Sequence, residues 1–471
     1  MKCMRNSITP LGRKPLPQAP KLRQLLGPSF IILGLGLGSG EVVLWPYMAS
    51  NYGLGIVWGI LVGITMQFFI NMEVERYALV HGESVFVGFT RLWRWFPVWF
   101  IASTFLGFGW PGIGLFGATL FGHVLGEVDP RVLGVGIFLA IGAILTLGSV
   151  LYKTVETLQK YLIGIGVPFI AILTYYLADF SDLDLLAKGL LGMGSVGGVP
   201  YFFLPEGLVF GTFLGALAYA GAGGNLNLAQ SCYVRDKGYG MGAYADKITG
   251  IISGKEQKSF SLTGHTFDST PENLRTFRTW WKLVNTEHFL VFWLLGLFTM
   301  LTLSLLSFTT TFGLEGNASG IMFVINEGAK IGRETLPLLG SLFLIVTGTM
   351  LCATQLTVLD STSRIITENA LLLAPKATYN VSRSYYIVLW LQIFFGIAVF
   401  LVGFDQPLTL IVLGAIINAF SMFVYTGILL WMNNRLLAPE VRPALWRNVV
   451  MLFTFLFLGA FCLVTAVEKL L

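Results

Sequence analysis

Few side chains in this 471-residue chain can do chemistry, and the most telling is Glu41, a carboxylate inside the apolar run Gly34–Pro46, GLGLGSGEVVLWP. A charged side chain at the centre of a bilayer costs about 2.5–3.5 kcal/mol on insertion scales, so Glu41 is expected to face a cavity or a partner. Gly36, Gly38 and Gly40 precede it. A glycine inside a helix costs about 0.5–1 kcal/mol relative to alanine, and with Ser39 this cluster predicts a broken membrane helix whose freed backbone lines a mid-membrane site. A second cluster, Ala220-Gly221-Ala222-Gly223-Gly224-Asn225-Leu226, echoes the first and is followed by Asn227, Gln230 and Ser231.

Three chemistries fit these residues. The Glu41 carboxylate, carbonyls freed at Gly38 and Ala222, and the side chains of Asn225 or Asn227 are all oxygen donors suited to a hard cation such as magnesium. If protons drive transport, Glu41 is instead the carrier. Consecutive N–H groups at Gly38-Ser39-Gly40, opening a half-helix, form a donor nest that favours a substrate carboxylate. The bland account of both glycine clusters is close helix packing by small residues.

The elements that must position these residues follow from composition. At 55% hydrophobic, 12% charged and a mean hydropathy of +0.74, the chain has more apolar surface than a soluble globular protein can hide. It reads as an all-α integral membrane protein. Runs of about 20 apolar residues give eleven spans: 29–48, 54–79, 96–125, 132–151, 161–178, 204–234, 288–308, 336–359, 385–402, 408–431 and 449–467. The runs do not alternate over short segments as barrel strands do.

The two glycine clusters lie in spans 1 and 6. An odd separation gives them opposite orientation, the signature of an inverted repeat. The expected organisation is a basic tail over 1–27, a first repeat over 28–180 (spans 1–5), a second over 181–433 (spans 6–10) with a loop over 235–282, and an additional helix over 434–471. That loop is expected to carry a surface helix around 244–253.

Lys2, Arg5, Arg13, Lys14, Lys21 and Arg23 precede span 1 without an acid, so the positive-inside rule predicts a cytoplasmic N-terminus and, with eleven spans, a C-terminus outside. No small-residue cleavage site follows the first apolar run, so no signal peptide is expected. A bacterial-type plasma membrane is the expected location. The net charge of +5 follows from loop bias and needs no nucleic-acid partner. Four scattered cysteines lack disulfide or zinc spacing. There is no GxxxxGK[ST], so no ATP is expected, and no catalytic constellation is visible: the chain is not expected to be an enzyme or to hold a resident cofactor.

Gly27-Pro28 through GSGEVVLWP, the end of span 2 (Glu73-Val74-Glu75-Arg76-Tyr77, then His81-Gly82-Glu83-Ser84) and span 6 followed by Arg235-Asp236-Lys237-Gly238 resemble the natural resistance-associated macrophage protein (Nramp) family and its bacterial relatives. The resemblance covers spans 1–10. It implies the LeuT-like fold with 5+5 inverted repeats and broken helices 1 and 6, and proton-coupled transport of divalent metal ions by alternating access. Where the family has Asp-Pro-Gly-Asn in its first broken helix, this chain has Gly38, Ser39, Gly40 and Glu41. Where the family has Met-Pro-His-Asn in the second, this chain has Ala222, Gly223, Gly224 and Asn225, and the region Ala229-Gln230 replaces a histidine of the family's proton route. Loss of the Asp and the Met turns the expectation from manganese or iron toward a harder ion.

The resulting expectation is a secondary transporter in the lipid bilayer. Glu41 and Asn225 are candidate metal ligands. Gly38, Ser39, Gly40, Glu41, Ala222, Gly223, Gly224, Asn225, Asn227 and Asn418 are candidate substrate-site residues, and Glu41, Gln230 and Asp360 are candidates for coupling to a proton or sodium ion. Gly-Ser-Gly in span 1, with Pro46 beyond it, also resembles the amino-acid/polyamine/organocation superfamily, which implies an amino acid or other small carboxylate-bearing solute. A non-transporting receptor on a transporter scaffold is the third reading. Asp360 and Arg364, four apart, are expected to pair, as are Glu73 and Arg76.

Overall fold

The computed structural model describes residues 8–20, 27–147, 151–246, 261–317, 320–374, 380–403 and 406–470; the side chains of residues 39, 151, 152, 469 and 470 lie outside that description. Every long apolar run became a helix, since inside a bilayer a backbone must satisfy its own hydrogen bonds. Ten helical stretches are long and apolar enough to cross a membrane among the described residues, and the interrupted span 6 makes the eleventh.

Span 1 departs from the expected break. Pro28–Ser39 is α-helical, Gly40–Leu44 forms a wide π-helical turn, and Trp45–Tyr52 continues as α-helix. The helix widens without unwinding. The glycines serve close approach: a Cβ on Gly36 would lie 2.9 Å from the Gly221 backbone, one on Gly38 2.5 Å from Thr354, and one on Gly40 1.6 Å from the Tyr219 carbonyl oxygen. Small-residue packing, the bland account, holds for this cluster. Thr354 adds a hydrogen bond of 2.9 Å to the Gly34 carbonyl. Trp45, which sequence position suggests as an interface anchor, is fully buried edge-on to Phe213.

Span 6 is truly broken. Phe210–Ala218 stops, the chain passes through Gly221, Gly223 and Gly224 at positive φ, and Leu226–Lys237 resumes. Glycine adopts that left-handed backbone without a Cβ penalty. Span 3 is interrupted too, Phe96–Phe108 giving way to Gly112–Val124 across Gly109-Trp110-Pro111. The proline lacks an N–H and ends the first segment.

Two boundaries moved. The segment 235–282, expected to be a loop, ends in a helix, Pro271–His288, capped by the Thr270 hydroxyl accepting from the Asn273 N–H, and it runs through a second π-helical turn, Phe289–Leu294, into Leu295–Thr311 of span 7. Span 8 runs over Pro337–Leu373, so Asp360 and Arg364 lie inside it. Most of the expected surface helix around 244–253 lies outside the described residues; Tyr244 closes a short 3₁₀ turn.

Span 2 is Trp58–His81, span 5 Leu151–Leu177, span 9 Val381–Val402 and span 10 Pro407–Leu436. Spans 4 (Pro130–Leu147) and 11 (Leu445–Leu470) are the least buried, which places them at the lipid-facing periphery. Of the ten uninterrupted stretches, spans 1, 2 and 8 are the most buried, and both halves of span 6 are largely buried. On the face of the N-terminal segment, Gly12–Arg13 pairs in parallel with His265–Thr266; on the opposite face a helix, Met322–Glu334, packs between spans 7 and 8.

Candidate substrate and ion sites

The widened turn of span 1 sends Glu41 toward span 7. Its carboxylate is fully buried, and a Cβ on Gly296 would lie 3.7 Å from its Oε1. The Thr299 hydroxyl is within reach of the carboxylate, yet it donates its single proton to the Leu295 carbonyl. Both Glu41 oxygens are therefore without a donor. A buried carboxylate in this position needs a proton or a cation.

Asn225 faces elsewhere. Its amide donates to Ser103 and Thr104 of span 3, each at 2.8 Å, and its oxygen accepts from Ser421 of span 10 at 2.7 Å. Both amide hydrogens of Asn225 are thus used and its oxygen is engaged by Ser421, and it shares no partner with Glu41. The expected metal pair of Glu41 and Asn225 is corrected on this ground: the wide turn aims one at span 7 and the break aims the other at spans 3 and 10. Among the described residues no group of three or more His, Cys, Asp or Glu is placed to hold a metal.

The break in span 6 is held by a residue that sequence reading passed over. Gln67 of span 2 accepts from the Gly223 N–H at 3.0 Å and donates to the Ala218 carbonyl at 3.0 Å, so it caps both broken ends. Ala222 is buried within the break, and a Cβ on Gly224 would overlap the Asn418 amide. Asn418 donates to the Gly107 carbonyl at 3.0 Å and the Tyr219 hydroxyl at 2.9 Å, leaving its own oxygen free. Gly38 and Gly40 of the expected donor nest are packed against Thr354 and Tyr219, and the Ser39 side chain lies outside the described residues.

Beside Asn418 is a cavity of about 10 Å³ lined by Gly107, Phe108, Trp110, Tyr219, Gln355 and Ile411 among others, roughly the room one water needs. It sits where spans 3 and 6 are both interrupted. The signal for it was the Gly-Trp-Pro-Gly run in span 3, which helix propensity alone marks as a stop. No carboxylate lines it; three aromatic rings, the Gln355 amide and four aliphatic side chains do.

Asp360 belongs to a buried charge network on the face of the N-terminal segment. Its carboxylate accepts from the Arg364 guanidinium at 3.0 Å, Tyr385 at 2.7 Å and Tyr233 at 2.9 Å. Arg364 also reaches Asp236, and Arg235 pairs with Glu368 at 3.0 Å, which accepts from Ser84 as well. The network ties the second half of span 6 to spans 8 and 9. Asn227 donates to Tyr425 at 3.0 Å, and Gln230 donates to Glu75 at 3.3 Å. Glu73 and Arg76 pair at 2.7 Å with Arg447 of span 11 joining at 2.8 Å.

No protein-family profile matches this chain, and no curated protein matches it in sequence. Solved structures do. The fold is similar to that of a manganese transporter from Eremococcus coleocola over 97% of this chain and 89% of that one, with a TM-score of 0.64 at 14% identity. It is similar to MhsT, solved in complex with L-phenylalanine, over 97% and 99% of the two chains (TM-score 0.54, 16% identity). It is also similar to Mhp1, a nucleobase-cation-symport-1 family transporter, over 95% and 93% (TM-score 0.53, 12% identity). The chain therefore has the LeuT-type transporter fold that an Nramp-like resemblance implies. At these identities the likeness establishes the fold.

Proposed function

We propose that this chain is a secondary active transporter that moves a cation by alternating access, a hard divalent ion such as magnesium being favoured. The observation that carries the reading is Glu41, a buried carboxylate at a widened helix turn with neither oxygen satisfied. Its neighbours Thr299 and the backbone of the wide turn are oxygen donors, which suit a hard ion better than a soft one. The similarity in fold to a manganese transporter supports the same direction. With the N-terminus in the cytoplasm, the Asp360–Arg364–Asp236 network is the inner closure that must open to release the ion.

A second reading has its own observation. The void between spans 3, 6, 8 and 10 holds about one water in this closed arrangement and is lined by three aromatic rings, the Gln355 amide and aliphatic side chains; widened as the helices separate, it would suit a small organic solute with the ion at Glu41 as its coupling partner. Proteoliposomes separate the two. Magnesium or manganese uptake that is lost in Glu41→Gln, with folding intact, supports cation transport. Absence of divalent flux, together with thermal stabilisation by an amino acid or related solute that persists in Glu41→Gln, replaces it with the second reading.

A further inference from the structure

Span 2 carries Gln67, Asn71 and Glu75 at four-residue spacing, which puts all three on one helix face. That face meets span 6. Gln67 holds the break itself, and Glu75 accepts from Gln230 in the second half of span 6. Between them Asn71 is fully buried with neither amide atom bonded. Further along the same seam the second oxygen of Glu75, the oxygen of Gln230 and the hydroxyl of Tyr239 also lack partners, and all three residues are buried. Native interiors leave few such atoms, and those they leave commonly bind ordered water. Here the unpaired atoms form a row from the span 6 break toward the face of the N-terminal segment.

The charges around Glu75 define what the row can carry. Span 6 presents Gln230. Span 7 presents Glu287, whose charge Glu75 feels, and His288; both are engaged by Ser29 at the start of span 1. Tyr239 feels Glu75, Glu287 and Glu156 together. Lys237 pairs with Glu156 at 2.9 Å and bears on Glu287, while Arg76 and Arg447 are engaged by Glu73. Glu75 thus has an amide as its bonded partner and a second carboxylate as its charged neighbour.

We infer that Glu75 is a proton-binding station on a hydrated route, Gln67–Asn71–Glu75–Gln230–Tyr239, connecting the break in span 6 with the face of the N-terminal segment. A proton on Glu75 lets it donate to the Gln230 oxygen once that amide turns over, which gives that unpaired oxygen a partner and frees the amide nitrogen. The route is separate from the Asp360–Arg364 network and from the cavity at span 3. Only the flux part of its test rests on the transport reading.

Infrared difference spectroscopy on the purified full-length protein, stepped in pH, reads protonated carboxyl groups directly. The expected result is a carboxyl band that titrates, disappears in Glu75→Gln and survives in Glu41→Gln. In proteoliposomes Asn71→Leu keeps the band and slows proton flux about tenfold or more, the rate equivalent of one lost hydrogen bond in the route. Magnesium binding to detergent-solubilised protein that is lost in Glu75→Gln, or a band unchanged by that substitution, overturns the inference. If Glu75→Gln fails to fold, Glu75→Asp serves: a shifted band supports the assignment and an unshifted one refutes it. A band that behaves as expected in a protein with no flux of any substrate keeps the station and removes the transport reading.

Discussion

Gly40→Ala offers a stringent test of how spans 1 and 6 meet. An ideal Cβ at Gly40 lies 1.6 Å from the Tyr219 carbonyl oxygen and 2.6 Å from its carbon, both backbone atoms. Ordinary van der Waals contact begins near 3.4 Å, so the two backbones must separate by well over an ångström. Tyr219 has little freedom to give way. Its N–H is bonded to the Gly215 carbonyl, its hydroxyl to Asn418, and its ring stacks on Phe108. Overpacking of this kind costs about 1–3 kcal/mol and more where the neighbour cannot yield, so Gly40→Ala is expected at or above the upper end. The internal control is Gly136→Ala in span 4, where a Cβ meets nothing within 4 Å. Helix propensity alone predicts a gain there of about 0.5–1 kcal/mol. Gly38→Ala should fall between, because its obstacle is the Thr354 side chain and not backbone. Thermal unfolding of the three variants in one detergent, followed by tryptophan fluorescence, gives the order. If Gly40→Ala unfolds at or above the temperature of Gly136→Ala, the close approach of spans 1 and 6 is refuted.

Two other outcomes are expected. Glu327, on the helix Met322–Glu334 outside the spans, is buried with one oxygen unbonded, and burial holds its carboxyl well above its ordinary 4.5 despite a hydrogen bond from Ser307. The folded protein therefore keeps a proton that the unfolded chain releases above about pH 4.5, so this group's contribution to stability falls as pH rises, by up to about 1.4 kcal/mol per unit. Glu327→Gln should unfold at a temperature increasingly above wild type between pH 5 and 8; parallel curves would contradict the assignment. Arg364→Met strands the buried Asp360 carboxylate, which keeps only two tyrosine hydroxyls, and should cost about 3–5 kcal/mol. Adding Asp360→Leu should recover part of that loss in the same thermal assay, and a double variant no better than the single would show that the pair is not the cause.

How much was legible depended on whether the determinant was local. The spans were legible because hydrophobic length is a property of each run by itself, and the break in span 6 because clustered glycines permit the positive φ that Gly221, Gly223 and Gly224 adopt. The Thr270-Pro271-Glu272-Asn273 cap was written in the sequence as a helix start, although the polar character of 235–282 suggested a loop. The Gly-Trp-Pro-Gly run likewise marked the stop in span 3.

The sequence by itself determined that this is a helical membrane protein with a buried carboxylate between two glycine clusters. It did not determine what the first cluster was for, since glycine permits both an unwound backbone and a close neighbour, and only the Tyr219 carbonyl against Gly40 decides between them. The direction of Glu41 was equally undecided. A π-helical turn widens the helix locally, and Glu41 lies within that turn and faces span 7, while Asn225 is engaged by spans 3 and 10. Which oxygens are left without a partner is settled by how helices distant in sequence pack together. That is why the two residues paired by the sequence motif are parted by the tertiary structure.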